Sequence, residues 1–404
     1  MNYVFGILGI VVLLGISYLL SEKKRNINWR TVGFALLIQI AFGFIVLRWS
    51  AGRAVLSAVS NGVDKVISYA NDGVDFVFGG AIPEGGFVFA FQVLTIIIFF
   101  SSLVSVLYYL RIMSVVIRFL GGGLSKALRT SKAESLSATA NIFLGQTEAP
   151  LVVRPYLNTM SRSEIFTVMT GGMASVSGSV LAGYALMGVP LEYLIAASFM
   201  AAPAGLLVSK LIIPETEDHI QKKDIKFEEM GKSANVIDAA AGGAIDGLQI
   251  ALAVGASLIA FIGLVALING ILGGIGGLFG FPTLSLQGIL GIVFSPIAYI
   301  IGVPTADIST AGSLIGQKII LNEFVAFTGL SEVKDMISPR ALMITSFALC
   351  GFANLSSIAI QISGLGSMAP DRRTLITQLG FRAVLAGTIA NLLSAAIAGM
   401  FYVL

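Results

Sequence analysis

Two carboxylates stand where carboxylates are costly. Glu148 follows Gly145-Gln146-Thr147 and precedes Ala149-Pro150, while Glu323 sits between Ile319, Ile320, Leu321 and the apolar string Phe324, Val325, Phe327. A charged side chain at membrane depth costs roughly 2.5–3.5 kcal/mol on insertion scales, so one retained there needs a task. Gln146 and Thr147 add an amide and a hydroxyl, which both donate and accept. For Glu323 the structural alternative is pairing with Lys318, but five residues is a poor helical spacing. Two further polar clusters interrupt apolar runs: Ser175, Ser177 and Gly178, and Asn354, Ser356 and Ser357. Glycine beside polar residues allows local unwinding, which frees backbone carbonyls to coordinate a cation or a ligand. The same small residues also let helices pack closely, and that is the plainer use of Gly171 and Gly172.

These residues need elements to hold them, and composition says which kind. Of 404 residues 56% are hydrophobic and only 12% charged, about half the charge of a soluble domain. A water-soluble enzyme is thereby excluded. The single cysteine, Cys350, and single histidine, His219, leave no material for a disulfide framework, a Cys/His metal centre or a Ser-His-Asp triad. A net charge of +3 does not argue for nucleic acid.

Eight regions are long and apolar enough to cross a bilayer as helices: Tyr3 to Leu20, Thr31 to Leu47, Phe87 to Leu110, Ile165 to Met187, Leu191 to Ile213, Leu248 to Leu272, Leu342 to Ile362 and Leu375 to Leu404. The first has its basic cluster, Lys23, Lys24 and Arg25, after the apolar run, so it is expected to be retained as a span. Nineteen of the 25 Lys and Arg fall in alternate connections, which predicts both termini outside the cytoplasm and His219 in a cytoplasmic loop at 214–235. Arg53 to Ala70 sets Val55, Leu56, Val59, Val63, Val66 and Ile67 at helical spacing opposite Ser57, Asn61, Asp64 and Lys65, the pattern of a helix lying in the interface.

Leu124 to Leu157 and Leu284 to Phe327 are broken by glycine and proline and must start and end on one side, so both read as re-entrant hairpins from opposite faces. In the first, Gly145 allows a reversal, Thr147 or Glu148 suits a helix start and Pro150 a first helical turn. In the second, Gly302-Val303-Pro304-Thr305-Ala306-Asp307 again forms a turn into a helix. Gly273, Gly274, Gly276 and Gly277 read as a turn, since no phosphate-loop lysine follows. Aligning Gly172 with Gly351, Ala174 with Ala353, Ser175 with Asn354 and Ser177 with Ser356, an offset of 179, gives a weak internal repeat. With the hairpins opposed, the plan is an all-α polytopic membrane protein built as an inverted repeat, as in many secondary transporters.

The strings GQTEAP at 145–150, NEFVAF at 322–327 and SFALCGFANLSSIAI at 346–360 resemble the concentrative nucleoside transporters, over essentially the full length of the bacterial form. The resemblance implies a homotrimer in a bacterial inner membrane, with residues 1–118 (spans one to three and the interfacial helix) and span six, within 214–282, as a fixed scaffold. Residues 119–213 and 283–404, holding the hairpins and spans four, five, seven and eight, would move as an elevator. It assigns the nucleobase to Gln146, Thr147 and Glu148 with Val180 nearby, and the ribose to Glu323, Asn354 and Ser357 with Phe352 adjacent. No cofactor is implied beyond a coupling ion. Side chains of Asn141 and Ser175 with carbonyls of Asn141, Leu144, Ser175 and Val176 would suit sodium, and Thr147 in GQTEAP resembles sodium-coupled members. The alternatives are proton coupling through Glu148 or Glu323, a channel, and a membrane enzyme using those two carboxylates as an acid/base pair.

Overall fold

The computed structural model describes residues 2–81, 88–217 and 233–402, so His219, much of the charged loop at 214–235, Phe87 and the last two residues lie outside the described part. Every regular element among the described residues is helical. The chain opens with α1 (Asn2–Leu19), α2 (Trp29–Leu47) and α3 (Ser50–Phe78). The helix expected in the interface is therefore longer than Arg53 to Ala70. Its Leu56, Ile67, Ala70 and Val74 are buried at helical spacing, while Val55 and Val59 face outward. Gly52 is required where α3 turns back on α2, since a Cβ there would meet the Ile45 carbonyl.

After α4 (Phe89–Gln92) and α5 (Leu94–Tyr109) comes a helix not among the expected elements, α6 (Ile112–Leu128). Arg118, Lys126 and three consecutive glycines hide its apolar period, yet Met113, Ile117 and Leu128 are buried along one side. Gly121 lets it lie against the next helix, because a Cβ there would come within 3.1 Å of the Leu136 Cα. The first hairpin accordingly starts not at Leu124 but at α7 (Lys132–Ala140), entered through a capping box of Ser131 and Glu134. Residues 141–148 reverse the chain, and Ala149–Thr159 returns as a 3-10 helix, the form left by Pro150 and Pro155, which each lack an N–H.

The fourth expected span is broken into α8 (Arg162–Ala174) and α9 (Gly178–Leu186), followed by α10 (Leu191–Ile212) and α11 (Val236–Leu278). At 43 residues α11 is about 65 Å long, far beyond Leu248 to Leu272. Gly243 and Gly247 bring it onto α5, where added Cβ atoms would lie 2.5 Å from Ser105 Cβ and 2.7 Å from Ile98 Cα. The Gly273–Gly277 run is helical, not a turn; the reversal falls at Gly280, whose φ is +82°. In the second half α12 (Leu286–Ile300), Gly302 at φ +90° and a short 3-10 turn lead into α13 (Ile308–Ile320) and α14 (Glu323–Val333). Leu284 to Phe327 thus merges a separate helix, α12, with the actual hairpin α13–α14, just as Leu124 to Leu157 had absorbed the end of α6. The seventh expected span is broken into α15 (Pro339–Leu349) and α16 (Leu355–Met368), and α17 (Arg373–Phe401) closes the chain.

Among the described residues six helical stretches are long and apolar enough to cross a membrane, Trp29–Leu47, Phe89–Tyr109, Arg162–Leu186, Leu191–Ile212, Val236–Leu278 and Pro370–Phe401; Tyr3–Leu19 and Leu355–Met368 are apolar but shorter. The repeat is present in the caps, with a corrected register. Ser161 and Ser338 are both N-caps with side chains bonded into the helix, and Ser177 and Asn354 occupy the N-cap positions after the two breaks, each pair separated by 177 residues. An offset of 179 matched glycines and alanines that recur for packing reasons and slipped the register by two.

At one end of the helices Arg162 on α8 donates to Glu22 at 2.9 and 3.3 Å, and Arg382 on α17 also reaches Glu22, tying the loop after α1 to both. The Arg162 hydrogen bond holds the Glu22 carboxyl below its ordinary 4.5, against the opposite pull of partial burial. A depressed folded-state pKa means stabilisation fully present above the unfolded value and lost as pH falls through the folded one. Glu22→Gln should therefore lower stability at pH 7 by about 1 kcal/mol or less, given the exposed arginines. Thermal unfolding of native and variant protein should converge as pH falls below about 4.5.

Candidate substrate and ion site

The two helix breaks meet. Backbone between α8 and α9 is extended at Ser175, and the Phe352 N–H from the other break donates to the Ser175 carbonyl at 3.1 Å. Ser175 and Phe352 are equivalent in the 177-residue register, so the repeat's two halves bond to each other where they cross. One side chain gathers what remains: Asn391 on α17 donates its amide hydrogens to the Ala174 carbonyl at 2.6 Å and the Cys350 carbonyl at 3.0 Å. Its Oδ1 accepts at 2.7 Å from Lys318, an ammonium 1% exposed that also points at the Ala348 carbonyl at 3.4 Å. Gly351 is obligatory, because any Cβ there would strike Asn391.

Glu323 begins α14 behind the Asn322 cap, which accepts from the Val325 N–H at 2.9 Å. Its carboxylate is 4% exposed and accepts from Asn354 Nδ2 at 2.8 Å and the Tyr184 hydroxyl at 3.3 Å. Asn354 is fixed in turn, its Oδ1 accepting from the Ser357 N–H and the Ser356 hydroxyl. Tyr184 is held by ring contacts with Phe324 and Phe327, centroids 4.8 and 4.2 Å away. Across from this cluster, the first hairpin's Gln146 donates to the Ser357 hydroxyl at 3.0 Å. The groups expected to read base and sugar therefore lie on facing elements, in contact. Thr147 is half-buried, its methyl against Gly364 of α16, while Val180 on α9 is buried and Phe352 half-buried.

Glu148 behaves differently. It folds back on its own turn, accepting from the Gly145 N–H at 3.2 Å, and shares no partner with Glu323. Lys318 and Glu323 form no ion pair among the described residues; each has its own amide partner.

Asn141 ends α7 and Ser175 follows α8, which brings the proposed ion ligands to one place: a Cβ on Gly171 would lie 3.2 Å from Asn141 Nδ2, and Ser175 donates to the Gly171 carbonyl at 2.9 Å. Asn141 donates to Ser137, but its Oδ1 is buried without a partner. An orphaned oxygen beside the C-terminal end of α8 fits a monovalent cation. Leu144 and Val176 are buried in the same two segments.

Sequence reasoning missed Tyr184 and Asn391. Nothing in the string around Tyr184 marks it, but Asn391 stands in Ala390-Asn391-Leu392-Leu393, an amide in an apolar run, and was open to the argument that singled out Asn354.

Broken helices paired by hairpins around a buried polar cluster define a secondary-transporter type of membrane protein. Residues 8–81 match the family described as Na+ dependent nucleoside transporter N-terminus, residues 90–191 the one described as nucleoside recognition, and residues 193–399 the Na+ dependent nucleoside transporter C-terminus. An uncharacterized transporter of Bacillus subtilis is 58% identical, over 99% of this chain and all of that one. The nucleoside permease NupC of Helicobacter pylori is 51% identical, over 98% and 97%. The structure of CNTnw in an inward-facing substrate-bound state superposes with a TM-score of 0.94 at 55% identity, covering 99% and 98% of the two chains. A doubly substituted CNTnw in an outward-facing state gives 0.97 at 54%, covering 99% of each. The chain belongs to the sodium-dependent, concentrative nucleoside transporter family. These relatives are transporters and a permease, so the chain is not an enzyme and the acid/base pairing of Glu148 with Glu323 is set aside.

Asn391→Leu should strip partners from two buried carbonyls and one buried ammonium, at about 1–3 kcal/mol for each group left unsatisfied. Thermal unfolding in detergent should show a large drop. Unchanged stability would mean that Asn391 does not hold the two breaks together.

Proposed function

We propose that this protein imports nucleosides into a bacterial cell, driven by an inward sodium gradient. The observation that carries it is the Gln146–Ser357 hydrogen bond, which sets the first hairpin's tip against the Glu323–Asn354 cluster. Gln146, Thr147 and Glu148, with Val180, face the nucleobase, whose edge both donates and accepts. Glu323, Asn354 and Ser357, with Phe352, hold the ribose, whose hydroxyls donate to a carboxylate. A nucleoside would enter by replacing the Gln146–Ser357 contact with its own polar groups. Sodium takes Asn141 and Ser175 with the carbonyls of Asn141, Leu144, Ser175 and Val176.

Residues 119–213 and 283–404 form the transport domain, with hairpins that are re-entrant from opposite faces. Residues 1–118 and the part of 214–282 in α11 are the scaffold of a homotrimer in the inner membrane, both termini outside the cytoplasm. Movement is of the elevator type. That CNTnw has been solved in inward-facing, intermediate and outward-facing states supports alternating access. The α5–α11 pair, close-packed on itself, touches α12 and α14 only thinly, as a sliding boundary needs, but α5 packs more broadly on α9. Toward α10 and α17, α1 and α2 present a broader contact, so more surface must slip there.

Uptake of labelled uridine into proteoliposomes should depend on an inward sodium gradient and fail in choline at equal pH. Uptake unchanged in choline but raised by an inward proton gradient would mean proton coupling. Glu323→Gln should remove most uptake with the protein still folded, since a charge-assisted acceptor contributes roughly 1.5–3 kcal/mol. Near-normal uridine affinity in that variant, or strong competition by a 2',3'-dideoxynucleoside, would overturn the ribose assignment. Asn141→Leu should abolish the sodium dependence and weaken nucleoside binding through lost coupling.

A further inference from the structure

We propose that Lys318 is a resident cation, occupying in the second repeat the position that sodium occupies in the first; the proposal rests on the sodium site at Asn141. The register is set independently by the caps. The 177-residue spacing that pairs Ser161 with Ser338 and Ser177 with Asn354 also pairs Asn141 with Lys318. Both residues lie at the inner end of the first limb of a hairpin, Asn141 capping α7 and Lys318 in the last turn of α13.

Both also meet the same place on the neighbouring broken helix. Gly171 and Ala348 are equivalent in that register; a Cβ on Gly171 would lie 3.2 Å from Asn141 Nδ2, and the Ala348 carbonyl lies 3.4 Å from Lys318 Nζ. The chemistry at the two positions is complementary. In the first repeat a buried neutral oxygen, Asn141 Oδ1, has no partner near the end of α8. In the second, an ammonium, which only donates, reaches Ala348 O near the end of α15 and Asn391 Oδ1.

Helix C-termini carry partial negative charge, and two of them are brought together here. Each needs a cation when taken out of water. Through Asn391, which bonds both Ala174 and Cys350, the lysine's charge serves the crossing as a whole. A covalently held cation travels with the protein in both directions and draws nothing from the gradient. A second dissociable ion is then unnecessary, and one sodium accompanies each nucleoside.

The test replaces the ammonium by the first repeat's ligand. Native protein, Lys318→Asn and Lys318→Met are compared by thermal unfolding in detergent across a sodium titration, with choline holding ionic strength constant, and by uptake in proteoliposomes. Both variants should be less stable than native protein in choline. Lys318→Asn should regain stability as sodium rises and transport with a sodium Hill coefficient moving from about one towards two, whereas Lys318→Met, which supplies no oxygen, should not recover. Variants that behave alike at every sodium concentration overturn the proposal, whether both match native protein, both stay destabilised or both fail to fold. Native protein indifferent to sodium in both assays would instead overturn the sodium site at Asn141, and this proposal with it.

Discussion

A helix interrupted inside a membrane leaves carbonyls without N–H partners, in a medium where each unmet polar group costs several kcal/mol. This protein interrupts two, and the rest of its architecture follows from how it satisfies them. The answer is a single amide, Asn391, inserted from an unbroken helix so that it bonds the ends of both breaks at once, with its own oxygen met by Lys318. Because α17 is continuous from Arg373 to Phe401, the crossing point is fixed to a rigid strut. The hairpins can then present polar tips to a crossing where the Ala174, Ser175 and Cys350 carbonyls already have partners.

The repeat is symmetric in its backbone and unlike in its side chains, and the site exploits the difference. At the N-cap after each break one half has Ser177 and the other Asn354. The serine's hydroxyl makes no capping bond, whereas the asparagine caps α16 and still offers its amide hydrogens to Glu323. The first hairpin returns as a proline-bearing 3-10 stretch with Gln146 at its tip, and the second as a regular helix that starts on Glu323. One frame thus sets a turn tipped by the Gln146 amide against a cluster that starts on the Glu323 carboxylate. In the proposed reading, a ligand with a heteroaromatic end and a polyhydroxyl end would meet both.

Much of this was legible from residue type alone. The cost of burying Glu323, Asn354 and Gln146 marked them, and glycine beside serine marked the breaks. The limits of the hairpins were not legible, because α6 carries Arg118, Lys126 and three glycines on a helix whose apolar face is narrow, which composition cannot distinguish from a loop. The repeat register failed for a related reason: glycine and alanine recur wherever helices approach closely, so they align by chance, whereas N-caps are tied to backbone geometry and align by structure. Lys318 was judged only against Glu323, its neighbour in sequence. Its actual partner is 73 residues away on α17, a distance no local pattern spans.

The choice of partner for Glu323 bears on how the proposed site would bind a ligand. An arginine would pair with a buried carboxylate bidentately, using both oxygens and leaving little for a ligand. Here the side-chain partners are a single N–H of Asn354 on Oε2 and the Tyr184 hydroxyl on Oε1, so a carboxylate with about four acceptor directions is not used up by them. Positive charge is nearby, on Lys318, but it is engaged elsewhere and acts only at a distance, which offsets the carboxylate without occupying it. A buried charge that is stabilised yet incompletely hydrogen-bonded favours a ligand able to complete it, and vicinal hydroxyls are donors with the right spacing and no charge of their own.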